Sequence, residues 1–346
     1  MQLIHLWGTE RTSSFYEHVL QTPFCQYNDA QTPWKELWLK DETRQITRAF
    51  KFRGNCYRVL CGLSTGQVVT AASTGSHGLG LSIAARIRGI QARIFVPAQT
   101  AHVKIAAIEA NGATVVKVDG DYEQARLTSV SFAEETGATY ISGFDDQDII
   151  TGNTSLFAEI EDQHPEEFDV VFVPVGGGGL LAACLQYFQN QEKRVKIVGV
   201  ELDSAPAMSL SLAHGRRVIL EQAVGRAEGL LVRQVGAIPF QIAQQARDLE
   251  IFLVSDAQID QAIRLLWQQS GIRAEGAGAA ALAAALLYPQ ASQDQKAVAV
   301  VSGGNIDEAA FQKALGSLDL SGLASIDFFE KSISEEERSD GDVFLP

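Results

Sequence analysis

Phe168-Asp169-Val170-Val171-Phe172-Val173-Pro174-Val175 runs directly into Gly176-Gly177-Gly178-Gly179, and this stretch decides the fold. The apolar run predicts a buried strand, and Leu180 to Phe188 predicts the helix that follows. Without side chains, several backbone N–H groups of the glycines can point at one anion, which the helix dipole also attracts. A flexible turn would need only two glycines. We therefore predict a phosphate-binding loop, which matches neither the Walker pattern nor GxGxxG.

Strands and helices alternate on both sides of this loop. Before it, a helix is predicted at 55–63, strands at 68–72, 92–96, 113–118 and 139–142 alternate with helices at 79–87, 103–110 and 122–135, and a further helix is predicted at 153–162. After it, strands are predicted at 195–201, 251–254 and 297–301, together with helices at 260–269, at 277–287 and from 307. This rhythm predicts an α/β protein with open, mostly parallel sheets and helices on both faces. We predict two lobes, a large one from residues 1–66 and 146–316 and a small inserted one from residues 67–145.

The last thirty residues differ from the rest of the chain. Residues 317–346 hold eight acidic and two basic side chains, together with several serines. Such a composition cannot bury enough apolar surface to offset the entropy of ordering. We predict that this acidic tail is disordered or loosely docked.

The composition argues against a nucleic-acid-binding, membrane or secreted protein. The 346 residues are 46% hydrophobic and carry 42 acidic and 28 basic side chains, a net charge of -14. An acidic protein suits neither nucleic acid nor an anionic membrane as a partner. No apolar run is long enough to span a bilayer, and the N-terminus shows no signal peptide. The cysteines form no CxxC pair, so we predict free thiols and a cytoplasmic protein; they are Cys25, Cys56, Cys61 and Cys184.

A lysine stands between two phenylalanines in Ala49-Phe50-Lys51-Phe52-Arg53-Gly54-Asn55. A lysine among apolar rings loses solvation, so its pKa falls and the neutral amine is favoured. That amine can form a Schiff base with an aldehyde. The alternative is a surface lysine at the start of a helix, and the other motifs of the chain are needed to distinguish the two.

Two further turns rich in small residues follow predicted strands. Ser73-Thr74-Gly75-Ser76-His77-Gly78 offers backbone N–H groups and hydroxyls that can hold a carboxylate, although an ordinary helix cap would look the same. Ser302-Gly303-Gly304-Asn305 ends the last apolar strand. Ligands of open α/β sheets collect at the carboxyl ends of strands. We therefore expect both turns and the tetraglycine loop to share one site.

Together these motifs resemble the serine/threonine dehydratase family of pyridoxal-phosphate enzymes, which share the tryptophan-synthase-β type of fold. The resemblance runs from about Thr22 to Leu315, and the motifs occur in the family's order. They are Phe50-Lys51-x-Arg53-Gly54, Ser73-Thr74-Gly75-x-His77-Gly78, Phe144-Asp145-Asp146 with Gly152-x-x-Ser155, Gly176 to Gly179, Glu275-x-Ala277-Gly278-Ala279 and Ser302-Gly303-Gly304-Asn305.

The resemblance implies roles for these residues and pyridoxal 5'-phosphate as the cofactor. Lys51 would be the Schiff-base lysine, and Thr74 stands where racemases of this group carry a second acid/base hydroxyl. The cofactor would lie among Phe50, Ser76, Gly176, Gly177, Gly178, Gly179, Glu275, Ser302 and Gly303, with Ser302 on the pyridine nitrogen. Ser76 replaces the family's usual asparagine. The substrate carboxylate would be surrounded by Ser73, Thr74, Gly75 and His77.

The implied reaction is β-elimination on a small hydroxyamino acid resembling L-serine or L-threonine, which gives a 2-oxo acid and ammonia. Addition of a nucleophile instead would make the protein a β-replacement synthase, and racemisation is a third possibility. A degenerate homologue without activity is disfavoured because Lys51 and the tetraglycine are retained. The family suggests a homodimer. We expect no metal, because Ala207 stands about where some relatives place an acidic ligand after the strand that ends at Glu201.

Overall fold

The structure is a computed structural model, and it describes residues 3, 7–29, 32–164, 167–189 and 194–316. The predicted acidic tail at 317–346 lies outside the described residues. In chain order the strands are β1 (Phe24–Gln26), β2 (Glu36–Asp41), β3 (Val68–Ala72), β4 (Gln91–Pro97), β5 (Thr114–Val118), β6 (Thr139–Tyr140), β7 (Val170–Pro174), β8 (Lys196–Leu202), β9 (Leu249–Val254) and β10 (Lys296–Val301).

The helices surround these strands. They are α1 (Thr9–Tyr16), α2 (Lys51–Gly62), α3 (Ser76–Arg88), α4 (His102–Glu109), α5 (Tyr122–Thr136), α6 (Gln147–Gln163), α7 (Gly179–Phe188), α8 (Ala207–His214), α9 (Ala237–Gln245), α10 (Asp256–Ser270), α11 (Gly276–Leu287) and α12 (Glu308–Leu315). Short 3-10 turns occur at Glu42–Arg44 and Glu228–Leu230.

Two sheets organise the chain. The larger has the strand order β1-β2-β10-β7-β8-β9 and the smaller the order β5-β4-β3-β6. All neighbouring strands are parallel except β1, which pairs antiparallel with β2. The predicted α/β fold with mostly parallel sheets is therefore confirmed. The small sheet lies within residues 68–140, which we call the small-sheet segment; the domain limits at 67 and 145 stay a prediction.

The central strands and one helix explain where the core lies. Every residue of β7 is buried, as expected for a parallel strand covered on both faces. In α11, whose sequence is almost entirely alanine, glycine and leucine, residues 277–285 are buried. Small side chains let this helix pack closely against β7 and β10. A second apolar cluster is formed mostly by the small-sheet segment and includes Val69, Leu81 and Ile94.

A buried charge cluster joins β2, α2 and α6. The Arg53 guanidinium donates to both carboxylate oxygens of Glu42 (2.8 Å each) and of Glu159 (2.6 and 2.8 Å). Lys40 Nζ also donates to Glu159, at 2.7 Å. Because all four side chains are nearly inaccessible to water, each charge relies on the others for stabilisation. We call this set the Arg53 cluster.

Several helices begin earlier than sequence periodicity predicts. The predicted helix at 55–63 begins at Lys51, and the one predicted from Leu79 begins at Ser76. The helix predicted from Asn153 begins at Gln147, because the Asp146 carboxylate caps it. The helices α1, α8 and α9 were not predicted. Polar residues and glycines interrupt the apolar pattern at these starts, whereas caps and tertiary packing set the real limits.

Two further predictions can be compared with the structure. All four cysteines are free thiols, as predicted; Cys56 and Cys184 are buried, and Cys25 and Cys61 are half-buried. No helix in the described part of the chain combines the length and the apolar character needed to cross a bilayer.

Candidate active site

The lysine segment is joined to the end of β10 by backbone hydrogen bonds. Ala49 forms an antiparallel bridge with Gly303, and the Phe50 N–H donates to the Ser302 carbonyl at 3.0 Å. Lys51 is the first residue of α2. Two motifs that are some 250 positions apart in the sequence are thus held side by side.

The Lys51 ammonium group is enclosed by protein and has few partners. Nζ donates to the Gly143 carbonyl at 2.7 Å and lies 5.1 Å from the centre of the Phe50 ring. Burial lowers the pKa of Lys51 to about 8, and Glu275 opposes this shift. The prediction that two rings flank the lysine is half right, because Phe52 instead packs with Phe15 in a separate apolar cluster.

The tetraglycine loop connects β7 to α7 without side chains because there is no room for them. A Cβ atom on Gly177 would collide with the Phe144 ring. Gly178 has φ +90°, and a Cβ there would lie 2.8 Å from Pro239 and 2.9 Å from Met208. Gly178 is also the N-cap of α7, and no side chain caps that helix. The first N–H groups of α7 are therefore left for an anion.

The turn at 73–78 uses its first hydroxyl internally. Ser73 Oγ accepts from the N–H groups of Gly75 (3.1 Å) and Gly78 (2.8 Å). Ser73 therefore shapes the turn, and its place around the substrate carboxylate stays a prediction. Thr74 is exposed, and Gly75 is half-buried as the N-cap of α3.

His77 is buried against residues 141–143, the segment whose Gly143 carbonyl accepts from Lys51. Its Nε2 lies 3.1 Å from the Ile141 carbonyl, and a carbonyl only accepts, so Nε2 carries the proton. Burial, assisted by the Lys51 charge, lowers the pKa of His77 to about 4. Nδ1 is buried, and the described residues give it no hydrogen-bond partner. In this state Nδ1 is an acceptor, and the place of His77 around the substrate carboxylate stays a prediction.

Ser76 is tied to a residue whose role the sequence did not reveal. The Asn305 Nδ2 group donates to Ser76 Oγ at 2.9 Å and to the Thr47 carbonyl at 2.8 Å. Asn305 thus links the turn at 73–78 to the segment that leads into Lys51. Among the described residues, Ser302 Oγ has one partner, the Ala277 carbonyl, at a long 3.4 Å, so its hydroxyl is available for a ring nitrogen.

Glu275 lies between the end of β10 and Lys51. Its backbone N–H donates to the Gly303 carbonyl at 3.0 Å, and a Cβ on Gly303 would lie 2.7 Å from its Oε1 atom. Burial raises the pKa of Glu275 to about 7, while Lys104 and Lys51 oppose the shift. This carboxyl group can therefore change its charge near neutral pH.

The segment from Ile141 to Asp146 connects the parts of the site. The Gly143 carbonyl holds Lys51, and Phe144 covers the tetraglycine loop. Asp145 accepts from the backbone N–H groups of Ala237 (2.9 Å) and Ile238 (2.8 Å) at the start of α9. The sequence marked Phe144 and Asp145 as a motif but gave them no role, and Gly143 carried no signal at all.

The acidic residue at the end of β8 has a structural partner. Glu201 accepts from the N–H groups of Met208 (2.6 Å) and Ser209 (2.9 Å) at the start of α8, and burial raises its pKa to about 7. Within the ranges that the structure describes, no three His, Cys, Asp or Glu side chains come together as a metal site.

These residues fit pyridoxal 5'-phosphate. The uncapped α7 N-terminus suits a phosphate, the Lys51 amine suits an aldehyde, and the Ser302 hydroxyl suits a pyridine nitrogen. Gly303, just past the carboxyl end of β10, is bridged by Ala49, two residues before Lys51, and adjoins Glu275. Phe50, whose ring is near Lys51 Nζ, supplies an apolar wall.

Comparison with known proteins agrees with this chemistry. Residues 16–303 match the family described as pyridoxal-phosphate dependent enzyme. A chloroplastic biosynthetic threonine dehydratase of Arabidopsis thaliana is 38% identical over 78% of this chain, which spans 46% of that protein. An L-threonine ammonia-lyase of Thermotoga maritima is 35% identical over 79% of this chain, which spans 68% of that protein.

A solved structure extends the likeness to the fold. The processed form of threonine deaminase isoform 2 from Solanum lycopersicum superposes with a TM-score of 0.82 at 30% identity. The match covers 92% of this chain and 94% of that one.

Proposed function

Because the chain belongs to the family of pyridoxal-phosphate dependent enzymes, we propose that it is a lyase that eliminates the β-hydroxyl of L-threonine or L-serine. The products are a 2-oxo acid and ammonia. The observation that carries the proposal is the state of Lys51, whose enclosed ammonium group donates to the Gly143 carbonyl and has its pKa lowered to about 8. The substrate class follows the relatives, which are named for threonine.

Bound cofactor would supply an aldehyde for the substrate amine and a conjugated ring that withdraws electrons from its α-carbon. We assign the phosphate to Gly176–Gly179 and the ring nitrogen to Ser302. A neutral hydroxyl there leaves the nitrogen unprotonated, so the ring withdraws electrons less strongly. Such a site favours rapid loss of a β-substituent over a long-lived carbanion.

The chain's own groups move the proton. The Lys51 amine takes the α-proton, and burial keeps enough of it neutral to do so at slightly alkaline pH. The proton taken by Lys51 is returned to the β-hydroxyl, which leaves as water. The enamine that remains tautomerises to an imine, from which a second water molecule releases ammonia. Overall, one amino acid gives one 2-oxo acid and one ammonia.

The test is an assay of the full chain with pyridoxal phosphate. L-threonine, L-serine, their D-forms and O-activated serines are offered, and mass spectrometry follows 2-oxo acids and any new amino acid. We expect 2-oxo acid from an L-hydroxyamino acid. Lys51→Ala should lower kcat/KM by about 10²–10⁴-fold, whereas Lys196→Ala, at the far end of β8, should not.

A second readout does not depend on turnover. After borohydride reduction, peptide mapping should find the cofactor on Lys51. Cofactor on another lysine, or full turnover by Lys51→Ala, would refute the assignment. New amino acids formed only with an added nucleophile would identify a β-replacement synthase instead. The homodimer and the cytoplasmic location stay predictions.

A further inference from the structure

An ion pair joins the small-sheet segment to the larger sheet beside the site. Lys104, on α4, donates to Glu228 with an Nζ–Oε2 distance of 2.9 Å. The two side chains are 35% and 73% exposed. An ion pair so open to water contributes little to stability. If this ion pair matters, it does so through the positions that it gives to the two charges.

The turn that carries Glu228 is fixed against the site. A Cβ on Gly229 would lie 2.8 Å from that of Ala277, and a Cβ on Gly276 would lie 2.9 Å from Cα of Ala227. The same turn touches the tetraglycine loop, because a Cβ on Gly176 would collide with the Gly229 carbonyl. Glu228 is thus anchored next to the start of α11, where Glu275 lies.

Charges of alternating sign surround Glu275. Lys104 lowers the pKa of Glu275 and Glu228 raises it; Lys51 from α2 and the Asn305 N–H after β10 also lower it. Arg48, from the segment before α2, is a further cation that interacts with Glu275. Lys104 is the member of this set that the small-sheet segment contributes.

We propose that Lys104 and Glu228 are positioning residues for the reaction: their ion pair places the Lys104 ammonium group beside Glu275, so that contact between the two sheets sets the charge of the site. The idea rests on the proposed function. Lys104 does not touch the reacting atoms and acts through Glu275, which in turn faces Lys51. Losing the contact would leave Glu275 without its strongest cationic neighbour.

The test compares Lys104→Gln, Glu228→Gln and the control Lys196→Gln. Lys196 forms a similar ion pair with Glu250 (2.8 Å; 34% and 36% exposed) at the opposite end of the strands. The limb of the pH profile of kcat/KM near pH 7 should move upward by about half a unit to one unit in Lys104→Gln. In Glu228→Gln it should also move upward, but by less, because release of the Lys104 ammonium group outweighs loss of the Glu228 charge. It should stay in place in the control.

Urea unfolding of the cofactor-free chain gives a second readout. The carboxyl pKa of Glu275 is about 7 when folded and about 4.3 when unfolded. The folded chain therefore binds more protons between these values, and stability falls as pH rises through them. The upper end of this fall should move upward in Lys104→Gln and, by less, in Glu228→Gln.

An upward shift in Glu228→Gln is what loss of the carboxylate charge alone would not produce, because that loss lowers the pKa of Glu275. If Glu228→Gln shifts the limb downward, or if neither variant shifts it relative to the control, the proposal is overturned. Should the chain turn over no hydroxyamino acid, the unfolding experiment still decides the question, so the two proposals can fail separately.

Discussion

Lys40 and Lys51 lie on the consecutive elements β2 and α2 and are both enclosed, yet the protein surrounds them differently. Lys40 donates to Thr22 O (2.9 Å), Glu159 (2.7 Å) and Gln163 (2.8 Å), which satisfies all three of its N–H groups. For Lys51, the described residues provide one acceptor, the Gly143 carbonyl. Burial lowers the pKa of both lysines, and at Lys40 the Glu159 carboxylate opposes the shift. Of the two, Lys40 is the one that has acceptors for all three N–H groups.

The neighbouring charges widen the difference. In the Arg53 cluster, two cations face two carboxylates, and burial of Glu159 is outweighed by Arg53 and Lys40, which hold its pKa below the usual value. Beside Lys51 the counter-charge is Glu275, whose own pKa is raised to about 7. The two lysines are therefore both shielded from water, but they differ in the hydrogen bonds and the counter-charges that offset the burial of the ammonium group.

The variant Glu159→Gln disrupts the Arg53 cluster and should have the largest effect on stability. Glu159 accepts from Arg53, Lys40, Tyr16 and the Thr22 N–H, so the variant leaves two buried cations facing a neutral amide. We expect the free energy of unfolding in urea to fall by about 3–5 kcal/mol. The control is Glu250→Gln, whose ion pair is half-exposed and should cost less than about 1 kcal/mol. A loss as small for Glu159 would show that the cluster is not needed for stability.

Methionine at each lysine compares the two sites directly. Lys40→Met removes three hydrogen bonds and a counter-charge of Glu159, so it should destabilise the cofactor-free chain by about 2–3 kcal/mol. Lys51→Met removes a poorly compensated charge, so stability should stay within about 1 kcal/mol or rise. Urea unfolding at pH 7 measures both. Equal losses would mean that the two lysines are equivalent in the folded chain.

The difference between the two lysines also shows which features could be predicted from the sequence and which could not. Lys51 was found because its motif is local, in Phe50-Lys51-x-Arg53-Gly54, and the strand–helix rhythm placed the glycine-rich turns at one sheet edge. The Arg53 cluster was missed because its members, from Lys40 to Glu159, meet only through tertiary packing. The same holds for the Asn305–Ser76 bond and the Gly143 carbonyl. A backbone acceptor has no sequence signature, and the tautomer of His77 depends on the Ile141 carbonyl.

The pH dependence of stability is a further test of the difference between Lys40 and Lys51, and its expected effect is the smallest. The pKa of Lys51 is about 8 in the folded chain and about 10.4 when unfolded. Between these values the unfolded chain holds a proton that the folded chain has lost, so stability rises with pH through this window. Lys51→Met cannot show this rise, whereas other groups, including Lys40, contribute equally to both proteins.

The difference between the original chain and Lys51→Met, without cofactor, should therefore grow in favour of the original chain by on the order of 2 kcal/mol from pH 8 to pH 10. Urea midpoints at half-unit steps measure it. A flat difference would mean that Lys51 titrates as a solvated lysine does. The low pKa on which proton removal depends would then have to come from the bound cofactor rather than from the fold.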